Sequence, residues 1–110
     1  MIPAPAPEVP TCTVTEAAER HQTGARIIDV REPVEHNSLR VPGADLLPMS
    51  TIQSWYTDLD VNEELLVLCR SGNRSATVVD ALVNQAGFTN VTNIAGGIMA
   101  WGEAGLPLEH

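Results

Sequence analysis

Lysine is absent from the 110-residue chain: its six basic side chains are all arginine, set against 14 acidic ones, for a formal net charge of −8. A surface this acidic repels phosphate backbones and anionic lipid, so nucleic acid and membrane surfaces are poor partners for it. Cysteine is nearly absent too, with Cys12 and Cys69 alone. Two cysteines make no disulfide framework, and a Cys12–Cys69 bridge is not expected. There is no CxxC pair, and with only His21, His36 and His110 to help, no metal site is expected. No apolar run approaches the ~20 residues of a membrane span. Residues 1–11 have neither a basic segment nor an apolar one, so they are not read as a signal peptide.

What is present suits a globular domain. The chain is 44% hydrophobic and 18% charged, ordinary for a soluble fold, and its length suits one domain that buries roughly two-thirds of its unfolded surface. A cytoplasmic monomer is the expectation. Residues 2–10 carry four prolines and read as an extended arm, so that residues 1–10 precede a domain spanning 11–108. Glu109 and His110 read as the start of an expression tag, outside the fold.

Along the domain, Cys12 reads as a strand residue rather than a second sulfur site. Thr15 reads as the N-cap of a short helix ended by Gly24. Ala25 to Val30 is a buried strand by its apolar run. Glu32 to Ser38 is a short helix with Pro33 in its first turn, and Val41-Pro42-Gly43-Ala44 is a turn. A short strand over Asp45 to Leu47 and a helix over Thr51 to Leu59 follow. Leu65 to Cys69, the most apolar run, suits a central parallel strand covered on both faces. Ser75 to Ala86 has helical spacing and stops at Gly87. Val91 to Ile94 is a last strand and Gly96 to Gly105 a last short helix. Strands alternating with helices predict an α/β fold, a parallel sheet with helices on both faces. Ligands in such sheets bind beyond the carboxyl ends of the strands, where Cys69 falls.

The segment after that strand, Cys69-Arg70-Ser71-Gly72-Asn73-Arg74-Ser75, carries the chemistry. A thiolate is the nucleophilic form of cysteine, yet a free thiol with a pKa of about 8.5 is little ionised at neutral pH. A loop feeding a helix N-terminus offers unpaired amides that hold an anion. Gly72 and Asn73 let the backbone curl, and Arg70 and Arg74 add positive charge. A lowered Cys69 pKa is expected, and the same amides would hold a persulfide. A thiolate attacking an outer sulfur needs no general base, so the scarcity of histidine is no obstacle, whereas a Cys–His protease would need one. Taken alone, a cysteine at a strand end is more often a small buried hydrophobe; the whole loop reverses that reading.

Three motifs together resemble the rhodanese homology domain, over residues 12–108. Ile28-Asp29-Val30-Arg31-Glu32-Pro33 with Glu35 and Val41-Pro42-Gly43-Ala44 is similar to its first signature, the Cys69–Ser75 segment to its active-site loop, and Ala95-Gly96-Gly97-Ile98 with Trp101 and Gly105-Leu106-Pro107 to its C-terminal signature. The resemblance implies a five-stranded parallel sheet with helices on both faces. It implies a sulfurtransferase of the thiosulfate:cyanide class, with Cys69 as persulfide-forming nucleophile and Arg70, Ser71, Gly72, Asn73, Arg74 and Ser75 as its cradle. The donor would be thiosulfate or a related persulfide, the acceptor cyanide, a thiol or a protein thiol, and no cofactor is called for. Asp29 and Arg31 would support the pocket, Asp29 more simply as a salt-bridged strand end. Arg40 stands where the family often has histidine; it is a candidate for the pocket mouth, or else a solvated surface charge. Trp55 and Trp101 read as core, and Gly96-Gly97 as a tight turn rather than a phosphate loop.

Two rivals remain. A cysteine-dependent phosphatase or arsenate reductase also closes its loop with arginine, but four residues separate Cys69 from Arg74 where the phosphatase signature has five, a ring sized for one sulfur rather than an oxyanion. A regulatory module, or a persulfide carrier serving a protein partner, shares the fold; the intact loop argues against a module without chemistry.

Overall fold

Five parallel strands in the order β1-β5-β4-β2-β3 form the sheet of the computed structural model, which describes residues 6–110. The strands are β1 (Thr11–Cys12), β2 (Arg26–Asp29), β3 (Asp45–Leu46), β4 (Leu65–Leu68) and β5 (Val91–Ile94). The helices are α1 (Val14–Gln22), α2 (Pro33–Ser38), α3 (Ile52–Trp55), α4 (Asn73–Asn84) and α5 (Gly97–Glu103). The α/β class, the five parallel strands and their cover on both faces are as expected. Of the N-terminal arm, residues 1–5 lie outside the described residues; residues 6–10 have no regular secondary structure.

Alternation along the strands divides the core in two. Ile27, Leu66, Leu68 and Ile94 point to one side, where Ala17 of α1 and Ile98 and Trp101 of α5 cover them. Ile28, Val30, Leu65, Val67 and Val91 point to the other, under Trp55 and Val78, Val79 and Leu82 of α4. All four residues of β4 are buried, as a central strand covered on both faces requires. Cys69 continues the alternation on the α4 side.

Some boundaries differ from the sequence reading. The first helix is capped by Thr13, not Thr15: the Thr13 hydroxyl accepts from the Glu16 amide at 3.1 Å and the Glu16 carboxylate from the Thr13 amide at 2.9 Å, a reciprocal capping box. Helix α4 begins at Asn73, two residues early, because Gly72 at φ 101° turns the chain into it. The expected helix over Thr51 to Leu59 is only the single turn of α3 between 3-10 turns at Met49–Thr51 and Tyr56–Asp58. There Trp55 donates its indole N–H to the Pro48 carbonyl at 2.9 Å, folding the segment back on its own start. Glu109, expected outside the fold, forms an antiparallel bridge with Arg40. Among the described residues no helix is long and apolar enough to cross a membrane.

Candidate active site

The chain enters β4 next to β2, then returns through α4 to β5 on the other side of it. Helix α4 packs on one face of the sheet and α5 on the opposite one, so the chain diverges where β4 and β5 end, at the carboxyl ends of the strands. Sites in open parallel sheets form at such a divergence. The β4–α4 loop, residues 69–72, lies there.

Cys69 is 1% exposed, yet its sulfur is not left to apolar neighbours. The Gly72 amide donates to Sγ at 3.1 Å and the Ser75 hydroxyl lies 3.2 Å from it. Burial pushes the thiol up; the Ser75 hydroxyl and the amides of Ser75, Gly72 and Ser71, all donating to sulfur, outweigh it and hold the thiol below its ordinary value. The direction is the one expected. The arginines, expected to add positive charge, do so without bonding the sulfur, and Arg74 is near enough to Cys69 for the two charges to interact. The Arg74 guanidinium is forked onto the Glu35 carboxylate at 2.7 and 2.9 Å, and Arg70 is exposed with no carboxylate within ion-pair reach among the described residues.

Three of the loop carbonyls are held by neighbouring groups. Ile98 and Met99, in the first turn of α5, donate their amides to the carbonyls of Cys69 and Arg70 at 2.9 and 3.1 Å. The Gly72 carbonyl accepts from the Ala76 amide at 3.2 Å and from the Asn93 side-chain amide at 3.2 Å. A trans peptide points its N–H opposite to its C=O, so the tether on the Arg70 carbonyl turns the Ser71 amide away from α5, and that amide is among those that favour the Cys69 anion. Gly97 is what permits this: at φ 58°, a Cβ there would overlap the Cys69 carbonyl oxygen and lie 2.6 Å from the Arg70 carbonyl. The glycine pair is thus a close-approach turn.

The remaining expected residues divide clearly. Asp29, wholly buried, accepts from the Arg31 guanidinium at 2.7 Å and bonds His36 Nδ1 at 2.9 Å. Arg31 goes on to the Leu39 carbonyl at 2.7 Å and the Glu35 carbonyl at 3.4 Å. Together they pin α2 to the end of β2, and α2 carries Glu35 to Arg74; their support of the loop is indirect. Arg40 is not brought to the loop. Its side chain bonds Glu109 at 3.2 Å and the His110 carbonyl at 3.2 Å. Asn93 and Glu35 are the site residues that sequence reasoning passed over. Asn93 is the one polar side chain of β5 that faces the loop, and Glu35 had a signal in its place within the first signature. Among the described residues no cluster of three or more His, Cys, Asp or Glu could hold a metal.

Residues 13–104 match the family model of the rhodanese-like domain. A sulfurtransferase of Allochromatium vinosum is 35% identical over 82 residues, covering 74% of this chain and 76% of that one. A probable adenylyltransferase/sulfurtransferase of Mycobacterium tuberculosis is 36% identical over 95 residues, 83% of this chain, which spans only 24% of that relative. Among solved structures, a Staphylococcus saprophyticus protein superposes with TM-score 0.79 at 34% identity, over 93% of this chain and all of that one. A Rhodopseudomonas palustris protein of unknown function, described as a possible tyrosine phosphatase, superposes with TM-score 0.76 at 28% identity, over 92% of this chain and 85% of that one.

Proposed function

The chain belongs to the family of rhodanese-like domains, and from that premise we propose that it is a sulfurtransferase that carries sulfane sulfur as a persulfide on Cys69. The observation that carries this reading is the set of hydrogen-bond donors converging on one sulfur, with the Gly72 amide at 3.1 Å and the Ser75 hydroxyl at 3.2 Å. Such donors favour the anion over the neutral thiol.

In the proposed loading step, the Cys69 thiolate attacks the outer sulfur of thiosulfate. An S–S bond forms, the bond between outer sulfur and sulfonate breaks, and its electron pair leaves with sulfite. The negative charge ends on the outer persulfide sulfur, within reach of the remaining loop amides. Cyanide or a thiolate then takes that sulfur and regenerates the Cys69 thiolate. Because Cys69 is 1% exposed, a donor must offer its sulfur at a narrow tip, as thiosulfate and small persulfides do. Arg70, the exposed cation of the loop, favours an anionic donor.

The likeness to a possible phosphatase is weighed by the arginine. A phosphatase needs its loop guanidinium free to clasp phosphate oxygens, and that of Arg74 is committed to Glu35 through both terminal nitrogens. Incubation with thiosulfate and cyanide should yield thiocyanate catalytically, and Cys69→Ser should abolish it. An aryl phosphate should not be hydrolysed; Cys69-dependent hydrolysis of it without thiocyanate formation would replace this reading with the phosphatase one.

A further inference from the structure

Among the described residues, buried polar side chains are few: Asp29, Arg31, Ser75, Thr92 and Asn93. Asp29 and Arg31 satisfy each other. Ser75 and Asn93 also meet, but beside the reactive sulfur. The orientation of Asn93 is fixed by its neighbours. The Gly72 carbonyl, 3.2 Å away, can only accept, so it faces the Asn93 amide nitrogen. The amide oxygen then faces Ser75 Oγ at 2.6 Å. The same Oγ is 3.2 Å from Cys69 Sγ. A hydroxyl has one proton, so Ser75 can donate to Asn93 or to Cys69, but not to both at once.

We propose that Asn93 is a positioning residue of the sulfur cycle: its amide oxygen accepts the Ser75 hydroxyl hydrogen bond whenever Cys69 Sγ is uncharged and loses it to Sγ when the sulfur is a thiolate. The choice follows from charge. To neutral sulfur, a weak acceptor, the hydroxyl prefers the short bond to the amide oxygen. To a thiolate it offers a charge-assisted bond, the stronger kind. The inference rests on the persulfide reading and gives it a moving part. During loading the charge passes from Sγ to the outer sulfur, leaving Sγ a neutral sulfide. The Ser75 hydroxyl then rotates back to Asn93, and no buried donor is stranded at either stage. No proton leaves the site.

The inference predicts that removing the Asn93 acceptor favours the thiolate over both the thiol and the persulfide, because the Ser75 hydroxyl is left with sulfur alone. Asn93→Leu keeps water out and removes the acceptor. The Gly72 carbonyl retains its bond from the Ala76 amide, so the cradle stays tied. Thiolate absorbance is titrated against pH in a Cys12→Ser background. Asn93→Leu should raise the thiolate-to-thiol ratio about fivefold, the ratio a typical net hydrogen bond sustains. Ser75→Ala should lower the ratio, and Asn93→Leu added to Ser75→Ala should change it no further. A purely structural Asn93 would loosen the loop when replaced, lowering the ratio in both single variants; that result overturns the inference. If Asn93→Leu does not fold, Asn93→Asp decides: it strengthens the acceptor facing Ser75 and, like Asn93→Leu, gives up the bond to the Gly72 carbonyl. It should lower the ratio, and by less in the Ser75→Ala background; an equal drop in both backgrounds, or none, overturns the inference. The titration needs no sulfur donor. Failure of the unaltered protein to take sulfur from thiosulfate would therefore defeat the persulfide reading alone, and a failed titration pattern in a protein that does load would defeat this inference alone.

Discussion

Replacing Gly97 with alanine tests how the loop is held. At φ 58°, alanine enters left-handed backbone at a cost of about 1–2 kcal/mol. Its Cβ would also overlap the Cys69 carbonyl oxygen and lie 2.6 Å from the Arg70 carbonyl carbon and oxygen. Those atoms belong to the loop backbone and cannot rotate aside, so α5 must retreat, at the ~1–3 kcal/mol typical of overpacking. The sum, ~2–5 kcal/mol, is a large share of the ~5–15 kcal/mol that holds a domain folded. Gly87→Ala is the matched control: its φ is 77° and nothing lies within 4 Å of the added carbon, so only the backbone cost applies. Urea unfolding followed by circular dichroism should separate the two variants by ~1–3 kcal/mol. Retreat of α5 also lengthens the tethers from the Ile98 and Met99 amides, freeing the loop peptides to swing. Alkylation of Cys69 by iodoacetamide at pH 7 should slow by about tenfold in Gly97→Ala, the effect of losing roughly one charge-assisted hydrogen bond, and should be unchanged in Gly87→Ala. Equal destabilisation and equal alkylation in the two variants would refute the argument that α5 orients the loop.

Three further outcomes follow from the same geometry. The Arg74 guanidinium, bonded to Glu35, holds that carboxyl at about 2; a depressed carboxylate contributes stability above its unfolded pKa of ~4.5 and loses it as pH falls toward 2. The urea midpoint should thus fall between pH 5 and pH 2 by an amount worth about 1 kcal/mol more in the unaltered protein than in Glu35→Gln, a surface-pair value because water screens the pair. Donors to sulfur lower the Cys69 pKa while burial raises that of Cys12, so mass mapping after brief alkylation at neutral pH should find Cys69 modified and Cys12 intact. Arg70→Ala should leave stability unchanged, since Arg70 has no ion-pair partner among the described residues, and should lower kcat/KM for thiosulfate about 3- to 10-fold, the loss shrinking at high salt as exposed charge effects do.

Local pattern carried most of the fold. The Leu65 to Cys69 run marked the central strand, and alternating elements marked the parallel sheet. Thr13 and Glu16 held a capping-box signal in the sequence, three residues apart, that the acids following Thr15 obscured. The Thr51 to Leu59 segment reads as one helix because its apolar spacing fits a helix; the indole bond from Trp55 back to Pro48 depends on the folded turn. In the site, the loop itself was legible because strand, nucleophile, glycine and helix start are contiguous. What holds the loop was not: Glu35 comes from 39 residues before Arg74, and Asn93 from 18 residues after Ser75. Asn93 sits in a strand whose other polar residue, Thr92, points elsewhere, so nothing in the pattern singled it out. Arg40 was a candidate by its place in a motif, and only the structure sends it to Glu109.

Sulfur transfer by this chain requires that the loop around residue 69 stabilise a sulfur anion there. Intact-mass measurement after thiosulfate treatment asks this directly. The protein should gain the mass of one sulfur atom, lose it on adding cyanide or dithiothreitol, and gain none as Cys69→Ala, while Cys12→Ser loads normally. An unaltered mass in the native protein, or sulfur retained by Cys69→Ala, would contradict it.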